Sequence, residues 1–212
     1  MTQQIRLGED QLERAKRLGS ATLHEAAGRI GALPSAIKPV APGMRLAGPA
    51  YTVIVPAFDN LWIHRALYRA SPGDILVVDT SGGIEAGYWG DILNEAAMVR
   101  GLGGLVINGG VRDTAGLAEM PFSVFSNGVA IRGTIKGFDV PAQLQQAISI
   151  GPQIVNPGDL IVGDRDGVVA IPQDMAAQTI RAGEDREADE QAKLERIRAG
   201  ETTLDIYGFG EA

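Results

Sequence analysis

The chain has 212 residues and a formal net charge of −7, and its 45% hydrophobic and 21% charged residues are ordinary for a folded domain large enough to bury a substantial core. The acidic balance argues against a nucleic-acid groove, which needs clustered Lys and Arg, and a sequence without cysteine has no disulfide framework and no thiolate zinc site. No apolar run approaches the roughly 18 residues of a membrane span, and the opening Met1-Thr-Gln-Gln-Ile-Arg6 lacks the apolar stretch of a secretory signal, so no membrane partner and a cytoplasmic location are expected.

Twenty-eight glycines and eleven prolines imply many tight turns between short elements, which points to a layered α/β structure. Residues 9–18 read as a short amphipathic helix ended by Gly19. A second helix is expected from Thr22, with Glu25 closing a capping box, to the stretch 28–31. Pro34, Pro39 and Pro42 mark an extended connection. Residues 46–55 are rich in β-branched side chains and read as a strand, with a bend near Gly48-Pro49. Residues 60–70 have helical spacing, and Pro72-Gly-Asp74 is a turn feeding a buried strand to Asp79. His24 and His64, the only histidines, fall within helical patterns and read as packing residues. Asp91 opens a helix to Arg100, and a strand at 104–108 is closed by Gly109-Gly110. A short helix is expected at 114–119 and a strand at 122–126. Residues 157–164 repeat the Pro-Gly-Asp turn and strand of 72–79. Asp166-Gly167 is a hairpin signal before a strand at 168–171. A long helix follows from 173 to about 198, stopped by Gly200; its acidic run 184–190 reads as a solvated face. No linker divides the chain, so residues 1–212 are expected to form one domain.

Asp91, twenty intervening residues, then Arg112-Asp113 is the pattern that carries chemistry. Four amides at a helix start lack internal partners and bear partial positive charge, which suits a carboxylate at Gly90-Asp91-Ile92-Leu93. Gly90 leaves room for its approach; the plainer alternative is that Asp91 only caps the helix. Arg112 presents a planar fork matching a carboxylate. Asp113 offers hard oxygens for Mg²⁺ or Mn²⁺, an ion that keeps other positions for water and an oxo-acid substrate. An exposed Arg–Asp pair in a turn is the plain alternative here. Both segments end one α/β unit, where sites tend to lie.

The segments Gly19-Ser-Ala-Thr-Leu-His-Glu-Ala-Ala-Gly-Arg29, Gly48-Pro-Ala-Tyr-Thr-Val53, Asp59-Asn60, Pro72-Gly-Asp74, Gly87-Tyr-Trp-Gly-Asp91, Gly110-Val-Arg-Asp113, Gly133-Thr-Ile-Lys136 and Asp166-Gly-Val-Val169 resemble the divalent-metal-dependent (class II) pyruvate aldolases. Those enzymes cleave 4-hydroxy-4-methyl-2-oxoglutarate and 4-carboxy-4-hydroxy-2-oxoadipate, and share their fold with regulators of RNase E activity. The resemblance implies an α-β-β-α sandwich assembled as a homotrimer or homohexamer, with sites between subunits and the C-terminal helix and tail, about 173–212, packing on a neighbour. It implies Asp113 as the metal ligand, Arg112 binding the pyruvyl group and its enolate, and the amides of Ile92 and Leu93 holding the carboxylate. Asp91 is then expected to hydrogen-bond waters around the metal. Glu187, with Glu184 and Glu190 as alternatives, would reach a neighbouring site; Glu25 is a second candidate for a group crossing the interface. The activity implied is retro-aldol release of pyruvate, with oxaloacetate decarboxylation as a side activity. Two other readings remain open at this point: another lyase or hydratase with the same enolate chemistry, its pocket shaped by Tyr88, Trp89 and the Phe138 region, or a non-catalytic protein binding RNase E.

Overall fold

The computed structural model describes residues 7–141 and 143–210; the opening residues 1–6, read above for a leader, lie outside that range. The first element, α1 (Glu9–Ala26), buries Ala15, Leu18 and Leu23, but at Gly19 the backbone leaves the helix (φ 82°, ψ 172°) and the element kinks. The second piece resumes at Ser20, not Thr22. Asp164, far along the chain, accepts the Ser20 amide at 2.7 Å and the Ser20 hydroxyl at 2.6 Å. The expected Thr22–Glu25 capping box is thereby corrected: Glu25 instead pairs with Arg29 at 3.1 Å and lies 3.9 Å from Arg186. A side chain at Gly19 would put its Cβ 2.6 Å from Asp164 Oδ2, so the kink and the cap require glycine.

After a short β1 (Lys38–Pro39), β2 (Leu46–Ile54) leads through α2 (Leu61–Leu67) to β3 (Ile75–Asp79). Then come β4 (Gly87–Trp89), α3 (Asp91–Val99), β5 (Gly104–Asn108), β6 (Gly110–Val111), α4 (Thr114–Glu119) and β7 (Val124–Ser126). The remainder supplies β8 (Gln143–Leu144), the β9 (Ile148–Ile150) and β10 (Gln153–Val155) pair, β11 (Leu160–Gly163), β12 (Val168–Ile171), α5 (Ala176–Arg198) and α6 (Thr203–Tyr207).

The main sheet runs β1-β7-β5-β3-β2-β11-β12, with β8 also pairing β2. Its centre is parallel: Thr52, Val77, Val106 and Phe125 lie in one row across β2, β3, β5 and β7. Ile75 to Val78 and Leu105 to Ile107 are fully buried, the continuous apolar run expected of strands covered on both faces. The bend read at Gly48-Pro49 is a change of partner. Residues 46–49 pair antiparallel with β11, and from Ala50 onward the strand runs parallel to β3. The two Pro-Gly-Asp turns are one device used twice. Gly73 (φ 84°) and Gly158 (φ 86°) take the left-handed position. In each turn the Asp side chain accepts the amide three residues back, Ser71 N at 2.8 Å and Asn156 N at 2.7 Å.

Helix α1 packs on α5 and on β11, β12 and β2, forming a second apolar cluster beside the main core. Gly183 allows the two helices to approach; a Cβ there would stand 3.0 Å from Leu18 Cδ1. The result is the expected mixed α/β sandwich, a single domain on a curled sheet. Among the described residues no helix is long and apolar enough to cross a membrane.

Candidate active site

Two strands too short to be read from sequence bring the motif together. β4 and β6 pair in parallel, Gly87 opposite Gly110 and Trp89 opposite Val111. Gly90-Asp91 continue from the end of β4 and Arg112-Asp113 from the same end of β6. The Arg112 amide donates to the Trp89 carbonyl at 2.9 Å, joining the two exits. Trp89 is fully buried; its Nε1 donates to Asn94 Oδ1 at 2.9 Å and its ring stacks on Phe122, fixing the first turn of α3. Tyr88 is also buried, and its hydroxyl donates to the Gly83 carbonyl and accepts from the Phe58 amide. Both aromatic side chains therefore hold backbone in place, and both residues also border the cleft described below.

Asp113 adopts a left-handed conformation (φ 57°, ψ 34°) at the bend before α4, a region that Asp tolerates better than most residues. Its Oδ2 lies 3.4 Å from the Asp91 amide and 3.5 Å from Arg112 Nε. The Arg112 and Asp113 side chains are about half exposed, at 47% and 43%. They open on a cleft of about 210 Å³, whose walls include Gly90, Ile92 and Leu93 at the start of α3. Gly87, Tyr88 and Trp89 of β4, Asn60 just before α2, His64 within it, and Gly133, Thr134 and Lys136 of a loop complete it.

Among the residues lining the cleft, Asn60, His64, Thr134 and Lys136 carry no role in the sequence reading. Asn60 and Lys136 lie in the segments that carry the family resemblance, and His64 follows Asn60 by four residues on one helix face, which is the signal that could have linked them. His64, read above as a packing residue, is partly buried and also borders the cleft. Burial, and then the charge of Lys136, hold its imidazole below the usual range, so it is neutral near pH 7. Asp59, almost fully buried, accepts the Leu61 amide at 2.8 Å and the Gly137 amide, which ties the Lys136 loop to the start of α2.

Asp91 stands slightly apart. Its carboxylate rests against Gly116 of α4, with Oδ1 buried and without a hydrogen-bond partner. Asn60 Oδ1 is likewise buried and unpartnered, and orphaned polar atoms beside a cleft mark places for water or a ligand. Glu187 does not line the cleft of its own chain. It pairs with Arg17 at 2.5 Å on the α1–α5 face, where Glu184 pairs with Arg14 and Glu190 with Arg186. A larger cavity, about 490 Å³, lies at the opposite end of β3 and is bordered by Leu12, Pro49, Pro72, Leu160 and Ala176, away from the charged motif.

Asp113 brings to the cleft carboxylate oxygens of the kind that could hold a hard divalent ion. Among the described residues no group of three or more His, Asp or Glu side chains gathers to hold a metal, so an ion here would rest on Asp113 with water and substrate filling the remaining positions, as Mg²⁺ commonly does. A Cβ at Gly90 would collide with Asp113 Oδ2, so the backbone keeps that carboxylate accessible.

The chain as a whole is similar to several known proteins. The RraA-like family, described as Aldolase/RraA, matches residues 16–170. A protein of Halalkalibacterium halodurans named "Putative 4-hydroxy-4-methyl-2-oxoglutarate aldolase" is 32% identical over 202 residues, covering 93% of each chain. A crystal structure of an uncharacterized protein from Pseudomonas syringae pv. tomato superposes with a TM-score of 0.84 at 27% identity, covering 99% of this chain and 98% of that one. Streptomyces coelicolor RraAS2, titled an unusual member of the RNase ES inhibitor RraA protein family, gives a TM-score of 0.77 at 24% identity over 90% of this chain and 98% of its own, a likeness of fold.

Proposed function

The chain belongs to the RraA-like (Aldolase/RraA) family, and on that footing we propose that it is a metal-dependent pyruvate aldolase. Its substrate would be a 4-hydroxy-2-oxo acid such as 4-hydroxy-4-methyl-2-oxoglutarate or 4-carboxy-4-hydroxy-2-oxoadipate, cleaved to pyruvate and a second oxo acid, with oxaloacetate decarboxylation as a side activity. The observation that supports this reading is the meeting of Gly90-Asp91 and Arg112-Asp113 at one end of the β4–β6 pair, beside the start of α3.

Mg²⁺ or Mn²⁺ held by Asp113, when bound, supplies a Lewis acid for the 2-oxo acid end of the substrate and lowers the pKa of nearby water. The amides of Ile92 and Leu93, at the positive end of α3, bind the pyruvyl carboxylate. Arg112 presents its fork to the same end and stabilises the negative charge that grows there as the C3–C4 bond breaks. Asp91 orders the water that removes the proton of the C4 hydroxyl. The electrons of the broken bond form the pyruvate enolate, C4 leaves as the carbonyl of the second oxo acid, and a proton returned to C3 gives pyruvate. Lys136 and neutral His64 offer a cation and a hydrogen-bonding ring to the distal end of the substrate.

The same reading places the site between subunits of a trimer or hexamer, with Glu187, Glu184, Glu190 or Glu25 of a neighbour completing it. The loop beside the cleft exposes Val129, Ile131 (91%) and Ile135, and the C-terminal end exposes Tyr207 and Phe209, apolar surface suited to such an assembly. A protein that only binds an RNase has no need of the Asp91–Arg112–Asp113 arrangement.

The test is pyruvate release from a panel of 4-hydroxy-2-oxo acids by protein stripped with a chelator and resupplied with Mg²⁺ or Mn²⁺. Release restored by metal supports the proposal; no release from any member of the panel removes it.

A further inference from the structure

Asp91 and Asp113 each lie over a glycine of the other's strand–helix unit. Gly90 precedes Asp91 and clears Asp113; Gly116, three residues after Asp113, clears Asp91. A Cβ on Gly116 would stand 2.5 Å from Asp91 Oδ1, 2.8 Å from Oδ2 and 2.9 Å from the carboxyl carbon, far inside contact distance. Nothing in the backbone calls for glycine there: Gly116 lies within α4 and is not among the glycines with positive φ. Alanine is the better helix former at such a position. The missing side chain instead leaves space that the Asp91 carboxylate fills.

That carboxylate has one methylene and two torsions, and its backbone is fixed in the first turn of α3, where the Asn94 amide donates to the Gly90 carbonyl at 3.0 Å. Pushed off Gly116, it yields most cheaply by rotating, being the far end of a side chain. The rotation is cheap for the fold, because Oδ1 is buried without a partner and gives up no hydrogen bond within the protein. It is costly for a group whose task is to aim at water beside Asp113.

We propose that Gly116 is a positioning residue, holding the Asp91 carboxylate in its working orientation; this rests on the role given to Asp91 above. The test uses the full-length protein with saturating Mn²⁺ and follows pyruvate release from oxaloacetate and 4-hydroxy-4-methyl-2-oxoglutarate. Wild type, Gly116→Ala, Asp91→Ala and the double variant are compared, with melting temperatures for all four and a crystal structure of Gly116→Ala. The expected result is a Gly116→Ala protein with an unchanged or higher Tm and a rotated Asp91 carboxylate. Its kcat falls on the order of 10²-fold, with KM little altered, and the substitution has no further effect in the Asp91→Ala background.

Near-normal kcat in Gly116→Ala overturns the inference. So does an equal loss in both backgrounds, or a marked fall in Tm, either of which would make the glycine a structural requirement independent of Asp91. Full turnover by Asp91→Ala is a different failure: it removes the role of Asp91 itself, and the positioning role with it.

Discussion

Arg112 and Asp113 stand 3.5 Å apart with both side chains about half exposed, and an ion pair in that setting contributes at most about 1 kcal/mol to folding. Folding stability therefore gives little account of the pair. Arg112→Ala is expected to lower kcat by roughly 10²–10³-fold, the scale of losing one preorganised donor to developing negative charge. Its Tm should move by no more than a few degrees, and Mn²⁺ binding should persist. Arg112→Lys should recover only part of the loss, because an ammonium keeps the charge but not the planar fork. Steady-state kinetics alongside thermal melts check both, and a normal kcat in Arg112→Ala would show that another group carries the charge. The individual residues of this motif were legible in the sequence because an acid near a helix start and an adjacent Arg-Asp pair make poor core. The place of Asn60, His64 and Lys136 at the cleft is not legible there, since it depends on α2 and the 133–137 loop meeting across Asp59, a contact between distant segments.

At the scale of elements, the Asp164 cap joins segments far apart in the chain, outside the cleft. Burial alone would raise its carboxyl, but hydrogen bonds from the Ser20 hydroxyl and amide, then from the amides of Asp166 and Gly167, outweigh that and hold it below the ordinary 3.8. The ionised carboxylate is thus favoured in the native state. Its stabilising contribution is complete above the ordinary value and is lost as pH falls through the lower native one. Asp164→Ala is expected to cost about 2–3 kcal/mol near neutral pH, the range for buried hydrogen bonds to a charged group. Chemical denaturation at pH 7 and again at successively lower pH should show the gap between variant and wild type narrowing only below pH 3.8; a gap independent of pH would mean the carboxylate charge is not what caps the helix. The same contact explains a misplaced boundary. Thr22 and Glu25 have the spacing of a local capping box, but a partner 144 positions away takes the role at Ser20, and no local pattern reports that. The long strands and helices were readable from periodicity. β4 and β6, of three and two residues and rich in glycine, were not, although they bring the two halves of the motif together.

For the whole molecule, the exposed Val129, Ile131 and Ile135 beside the cleft, and Tyr207 and Phe209 near the C-terminal end, leave apolar surface that a second subunit would cover. Sedimentation is expected to give three or six times the 22.3 kDa chain mass, and Ile131→Glu should reduce both the assembly and pyruvate release; an active monomer would place the complete site within one chain. The α/β class was evident from composition and element order, whereas the order of strands in the sheet depends on pairings that sequence does not state. The account as a whole turns on a divalent cation at Asp113. Its most direct test is a crystal grown with Mn²⁺ and oxalate, a mimic of the pyruvate enolate, and read by anomalous scattering, with Asp113→Ala treated in the same way. The account predicts one manganese peak beside Asp113, with the oxalate between it, Arg112 and the start of α3, and no peak in the variant. Manganese bound elsewhere, or bound equally well without the Asp113 carboxylate, would contradict it.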